Sequence, residues 1–234
     1  MTDRARALYA RASTASLTAQ LVKRGLRTRA IANIAPINPD TPRVFGLAYT
    51  LRYIPMREDL ATGAAMADPE NPQRKSIESI PPGHVLVADT HGMDVSGTLG
   101  DILVARLKVR GVGGVVSDGP MRDVAELKKI AFPVFARGNA APPSYASMLA
   151  ADAQVPIGCG GVAVFPGDIV IADADGVVIL PAAIAEEVAR DAVAQDQLEA
   201  YVRQRIEAGD SIVGVYPPNE QTKADFEAWK AKQR

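Results

Sequence analysis

The sequence predicts a single α/β domain whose core carries helices at both ends. Three observations carry that reading. An apolar run, an amphipathic stretch and a second apolar run follow one another over 84–119, the order of a strand–helix–strand unit. Short β-branched runs separated by Gly, Pro and Asp recur over 133–180. Both ends are built from helix formers. The expected layout is an N-terminal helical arm (1–30), an α/β core (31–181) and a C-terminal helical tail (182–234).

In chain order, residues 3–25 hold helix formers without proline, Leu17, Leu21 and Val22 fall at helical spacing, and Gly25 is a stop. The proline-rich stretch PINPDTPRVFGLAYTLRYIP then reads as a loop into a strand over 44–53. The polar, two-proline segment 66–76 suits an exposed connection, with a short helix over 77–80 ended by Pro81-Pro82-Gly83. A strand over 84–88, a helix through Ile102, Leu103 and Leu107 that stops at Gly111, and the buried strand VGGVVSDG follow. Further strands are expected at 133–136, 155–157, 161–164, 169–172 and 177–180, with the DG pair at Asp175-Gly176 as a hairpin turn. A helical tail of some 30 residues begins near Ala182.

Composition narrows the function. The 234 residues, 47% hydrophobic, are enough for one substantial core. Twenty-six basic against 27 acidic residues leave a net charge of −1, so no general attraction to nucleic acid or an anionic membrane is expected. Cys159 is the single cysteine, which excludes an internal disulfide and a multi-thiolate zinc site. No signal-like block opens the chain and no long apolar span occurs, so a cytoplasmic location with no membrane partner is the expectation.

Two segments could carry chemistry. LGDIL (99–103) opens the central helix, where free amides and the helix dipole favour an anion such as a carboxylate. SDGPMRD (117–123) ends the following strand. Arg122 offers a permanent planar cation there, and Asp123 a hard oxygen ligand suited to Mg²⁺ or Mn²⁺. Each has a plainer explanation alone: Asp101 stabilises a helix start, and Asp123 caps a helix over 124–130. Their combination matters more, because parallel strands align their carboxyl ends and would set Asp101 across one crevice from Arg122 and Asp123. His84 and His91 lack a metal-binding pattern, and GCGG at 158–161 reads as a backbone turn, not as a Cys nucleophile.

The ordered motifs GDILVARLKVRGVGGVVSDGPMRD, PVFARG and GCGGVAVFPGDIVIADADGVVILP resemble the RraA-like family, well over 43–181 and loosely at the ends. That family includes the regulator of ribonuclease activity A and divalent-metal pyruvate aldolases. The aldolase members are similar in having Asp, twenty intervening residues, then Arg-Asp, here Asp101, Arg122 and Asp123. The resemblance implies an α/β/β/α swivelling-type core, assembled as a homotrimer or homohexamer with its site at a subunit boundary.

It also implies roles. Asp123 binds Mg²⁺ or Mn²⁺ largely through waters, Arg122 stabilises an enolate, and Asp101 is the base, directly or through a water. The amides of Gly100, Asp101, Ile102 and Leu103 hold a pyruvate carboxylate, and Glu199 is the candidate acid lent by a neighbouring subunit. The implied activity is a lyase that cleaves 4-hydroxy-2-oxo acids to pyruvate, with oxaloacetate decarboxylation on the side. Two alternatives stand beside it: a dehydratase of 2-oxo-3-deoxy sugar acids using the same site, and a non-catalytic protein-binding regulator of ribonuclease activity.

Overall fold

The computed structural model describes residues 1–40 and 43–232. Thr41 and Pro42 of the predicted proline-rich loop, and the last two residues of the predicted tail, lie outside the described residues. The strands are β1 (Ala35–Pro36), β2 (Val44–Pro55), β3 (Val85–Asp89), β4 (Gly114–Ser117), β5 (Val134–Ala136), β6 (Met148–Ala153), β7 (Ile169–Asp173) and β8 (Gly176–Leu180). The helices are α1 (Asp3–Tyr9), α2 (Thr14–Lys23), α3 (Gly63–Ala67), α4 (Pro72–Ser79), α5 (Asp101–Val109), α6 (Val124–Leu127), α7 (Ala185–Glu207) and α8 (Glu220–Ala231).

Hydrogen bonding orders the strands β1-β5-β4-β3-β2-β7-β8, with β6 also on β2. β2 to β5 run parallel and are connected through α4, α5 and α6 in turn. β2 is long because it serves several partners. Val44–Leu47 pair with β7, Ala48–Arg52 with β3, and its last residues with β6.

The period-2 alternation of apolar strands separates three cores. Leu86, Ala88 and Val115 face α4 to α6, where Ile77, Val104, Leu107 and Leu127 are buried. Val85, Val87, Val116 and Phe135 face the opposite way, against Val170, Ala172, Val177 and Ile179 of the β7–β8 hairpin. The outer face of that hairpin, Ile169, Ile171, Val178 and Leu180, packs on Leu17, Leu21, Val188 and Ala192 of α2 and α7. The layers are thus helix, sheet, sheet, helix, the α/β/β/α arrangement expected. Truncating a fully buried side chain here, such as Ile171 to alanine, costs about 2–5 kcal/mol.

Several expected elements shift, each for a physical reason. The N-terminal helix is two helices broken at 10–13, because the Ser13 amide and hydroxyl bind Asp196 of α7 at 2.9 and 2.7 Å and Ser13 caps α2. The short helix expected at 77–80 instead occupies Pro72–Ser79, starting inside the segment read as a connection. Pro72 sits in the first turn, where its missing N–H costs nothing, and Asn71 caps the Gln73 amide at 3.1 Å. The strands expected at 155–157 and 161–164 reduce to one bridge, Ile157 to Val164. Between them Gly160 and Gly161, at φ 52° and 82°, curl the chain through a 3-10 turn. β6 is an addition to the expected strands, and the tail is α7 and α8 with a break that contains Gly209 and Pro217.

Candidate active site

Two backbone hydrogen bonds pull the predicted segments together. The Thr98 amide donates to Pro120 O at 2.7 Å, and the Arg122 amide donates to Leu99 O at 2.9 Å. The loop before α5 is thereby zipped to the turn after β4. A third loop joins through the Gly97 amide, which donates to Pro142 O at 2.9 Å. The result is a cavity of about 280 Å³ at the carboxyl ends of the parallel strands. It is walled by residues 97–103 and by Arg122 and Asp123, with Met66, Gln73 and Arg74 from α3 and α4, and Pro143, Ser144 and Tyr145 opposite.

Every sequence-predicted residue of the two segments reaches this cavity: Gly100, Asp101, Ile102, Leu103, Arg122 and Asp123. α5 starts at Asp101 after Gly100, which makes no side-chain cap. The Asp101 carboxylate accepts the Ile102 amide at 2.8 Å, while the amides of Gly100, Asp101 and Leu103 have no partner among the described residues. A helix start with free amides is an anion cradle, and Arg122 stands beside it with Nε buried and unpartnered among the described residues.

Two glycines make this closeness possible. A Cβ on Gly97 would lie 2.2 Å from Arg122 Cγ, and one on Gly100 would lie 2.4 Å from Asp123 Oδ2. Asp123 does not cap α6 as its plain explanation required. It sits at φ 56° and ψ 36°, in the left-handed region, and its side chain makes no cap hydrogen bond. A non-glycine residue in that region carries a conformational cost that a functional site commonly bears. The carboxylate is directed at the cavity instead.

The donor set fits a hard divalent cation that keeps most of its waters. Among the described residues no three His, Cys, Asp or Glu side chains converge; the cavity's carboxylates are the half-buried Asp101, held by the Ile102 amide, and the exposed Asp123. Mg²⁺ and Mn²⁺ are the ions bound in that way, through one carboxylate, waters and ligand oxygens.

Other acids and the thiol are structural. Asp118 is buried and accepts the Thr90 amide and hydroxyl at 2.7 and 2.9 Å, and the Gly92 and Gly160 amides at 3.1 and 3.0 Å. Asp89 accepts the His91 and Gly158 amides at 2.8 and 3.0 Å. The Cys159 thiol is fully buried, and burial, reinforced by Asp118 and Asp89, pushes its pKa up. That agrees with GCGG as a turn. His84 and His91 lie outside the cavity lining. Glu199 also lies elsewhere in the chain, on α7 beside Val202, Ile206 and Tyr216, where it accepts from Gln195 at 2.8 Å.

Sequence reasoning missed Met66, Gln73, Arg74, Ser144 and Tyr145. For Gln73 and Arg74 the signal is the capped start Asn71-Pro72, which announces a helix in a segment that otherwise reads as a loop; Met66, Ser144 and Tyr145 carry none.

The fold and cavity define a mixed α/β protein with a pocket at the ends of parallel strands, lined by free helix-start amides and by Arg122. The chain belongs to the RraA-like family: the family model described as Aldolase/RraA matches residues 14–179. A Halalkalibacterium halodurans protein is 33% identical over 165 residues, 70% of this chain and 72% of its own length. A Thermus thermophilus protein named 4-hydroxy-4-methyl-2-oxoglutarate aldolase is 34% identical over 108 residues, 46% of this chain and 65% of its own. Among solved structures, Streptomyces coelicolor RraAS2, described as an unusual member of the RNase ES inhibitor RraA protein family, superposes with TM-score 0.76 at 31% identity, covering 88% of this chain and 98% of that one. An uncharacterised Pseudomonas syringae protein superposes with TM-score 0.79 at 26% identity, covering 92% and 98%. Among the described residues no helix is long and apolar enough to cross a membrane.

Proposed function

We propose that this protein is a divalent-metal-dependent lyase that cleaves 4-hydroxy-2-oxo acids to pyruvate, acting within a homotrimer or homohexamer. The observation that carries the reading is the meeting of Arg122, Asp123 and the free amides at the start of α5 in one small cavity. Relatives named as aldolases support it.

Asp123 would hold Mg²⁺ or Mn²⁺, which when bound supplies Lewis acidity to the keto and carboxylate oxygens of the 2-oxo acid. The Gly100, Asp101 and Leu103 amides bind the carboxylate of the pyruvate half. Asp101, whose Oδ1 is held by the Ile102 amide, takes the proton of the C4 hydroxyl directly or through a water. The C3–C4 bond then breaks, C4 becomes a carbonyl, and the electron pair forms the enolate of pyruvate. Arg122 stabilises the developing charge at the enolate oxygen. Return of the proton to C3 gives pyruvate and resets Asp101.

Loss of CO₂ from oxaloacetate yields the same enolate, so decarboxylation accompanies aldol cleavage. The test is pyruvate release from 4-hydroxy-2-oxo acids by the purified protein with Mg²⁺, read by coupled lactate dehydrogenase. EDTA and Asp123→Ala should each abolish it, and full turnover in either condition refutes the reading. A second reading follows from the S. coelicolor structure described as an RNase ES inhibitor family member. Specific binding of a ribonuclease by a protein without metal-dependent turnover would favour it.

A further inference from the structure

Gln73 is 5% exposed at the wall of the cavity, on α4. Its Nε2 donates to the Tyr53 hydroxyl at 2.8 Å and to Thr98 O at 3.2 Å. A backbone carbonyl only accepts, so the atom facing Thr98 is nitrogen and the amide has a single orientation. Tyr53 is itself fully buried in the core. The remaining atom, Oε1, accepts from no group among the described residues and keeps some exposure, and Gln73 lines the same cavity as Asp101. A side chain this buried, fixed by two hydrogen bonds through its nitrogen, leaves its oxygen free to accept from a water in the cavity.

We infer that Gln73 is a positioning residue whose Oε1 accepts one hydrogen of the water that relays the substrate hydroxyl's proton to Asp101. The inference rests on the retro-aldol reading above. The water takes the C4 hydroxyl hydrogen on a lone pair and passes its own second hydrogen to the Asp101 carboxylate. The water is regenerated, Asp101 gains one proton, and the C3–C4 electron pair becomes the enolate. Gln73 fixes the water's direction and exchanges no proton. Without Gln73 the water is held only by Asp101 and the substrate hydroxyl, and its other hydrogen has no fixed direction. Decarboxylation of oxaloacetate has no hydroxyl to deprotonate and does not call on this water.

The experiment compares kcat for pyruvate release from a 4-hydroxy-2-oxo diacid with kcat for oxaloacetate decarboxylation, in Mg²⁺, for wild type and Gln73→Met. Misdirecting the relay should lower the ratio of the two rates on the order of 10–100-fold, a loss typical of a misplaced reacting group. An unchanged ratio, with both rates falling together or neither falling, overturns the inference. Tyr53→Phe removes one of the two bonds that fix the amide and should lower the same ratio about 3–10-fold, the worth of one hydrogen bond. If Gln73→Met does not fold, an unchanged ratio in Tyr53→Phe overturns it. Wild-type protein that releases no pyruvate from any 4-hydroxy-2-oxo acid would instead defeat the lyase reading, and that result is seen before any variant is made.

Discussion

Gly100→Ala separates the placement of Asp123 from the stability of the fold. The backbone at Gly100, φ −109° and ψ −178°, is open to alanine, so the substitution adds no dihedral strain. The new methyl would, however, lie 2.4 Å from Asp123 Oδ2. Ordinary contact begins near 3.4 Å, so the carboxylate must withdraw by about 1 Å. A displacement of about 1 Å at a reacting group lowers turnover on the order of 100-fold. The stability effect is small, because alanine is only slightly worse than glycine before a helix, about 1 kcal/mol or less. The assay is Mg²⁺ titration of pyruvate release, with thermal melts of both proteins. The expected outcome is a raised half-saturating Mg²⁺ concentration and a large loss of turnover at nearly constant Tm. Wild-type turnover and wild-type Mg²⁺ dependence in Gly100→Ala would refute the assignment of Asp123.

Three further outcomes test other parts of the structure. Asp118→Ala should cost about 3–5 kcal/mol in urea unfolding, since it strands three buried or half-buried amides and a hydroxyl; a cost below about 1 kcal/mol contradicts its role as a turn clamp. The Cys159 thiol, raised by burial above its ordinary value of 9.0, stays protonated in the folded chain while the unfolded chain ionises. Its contribution is therefore complete below pH 9 and is lost as pH climbs toward the folded value; Cys159→Ala should flatten the fall in stability measured above pH 9, and an identical slope would discount it. Arg74 is exposed at the cavity wall, its Nε on Met66 O at 3.4 Å, so Arg74→Met should raise KM about tenfold for 2-oxo diacids and leave KM for a neutral-tailed 2-oxo acid unchanged. Equal KM shifts for the two substrates would count against a charge-reading role.

The parts of the fold that are legible in the sequence are those whose determinants are local. Val85 to Ala88 and Val115-Val116 are short, β-branched apolar runs flanked by glycine or proline that read as buried strands, and Gly111 ends the helix between them as expected. The site segments are legible for the same reason: parallel strands that share a register bring their following loops together. What escapes depends on distant partners. Ser13 breaks the first helix because Asp196, 183 residues away, binds it. β6, with sequence MLAADA, has little intrinsic preference for a strand and forms because β2 extends past β3 and offers an edge. Gln73 reads as a loop residue, and only the fold reveals Tyr53 and Thr98 behind it.

The left-handed backbone at Asp123 bears on how such a protein changes over time. Glycine occupies that conformation freely, so Asp123→Gly would delete the carboxylate at little cost in stability, the relieved strain offsetting the added freedom of the unfolded chain. Aspartate and glycine codons differ by one base. Loss of the acid is thus an easy mutational step that the fold tolerates. On the lyase reading proposed above, selection for the chemistry of Asp123 is what opposes that step. A lineage released from that selection would drift toward a well-folded protein with an intact pocket and no catalysis, a ready starting point for a binding role.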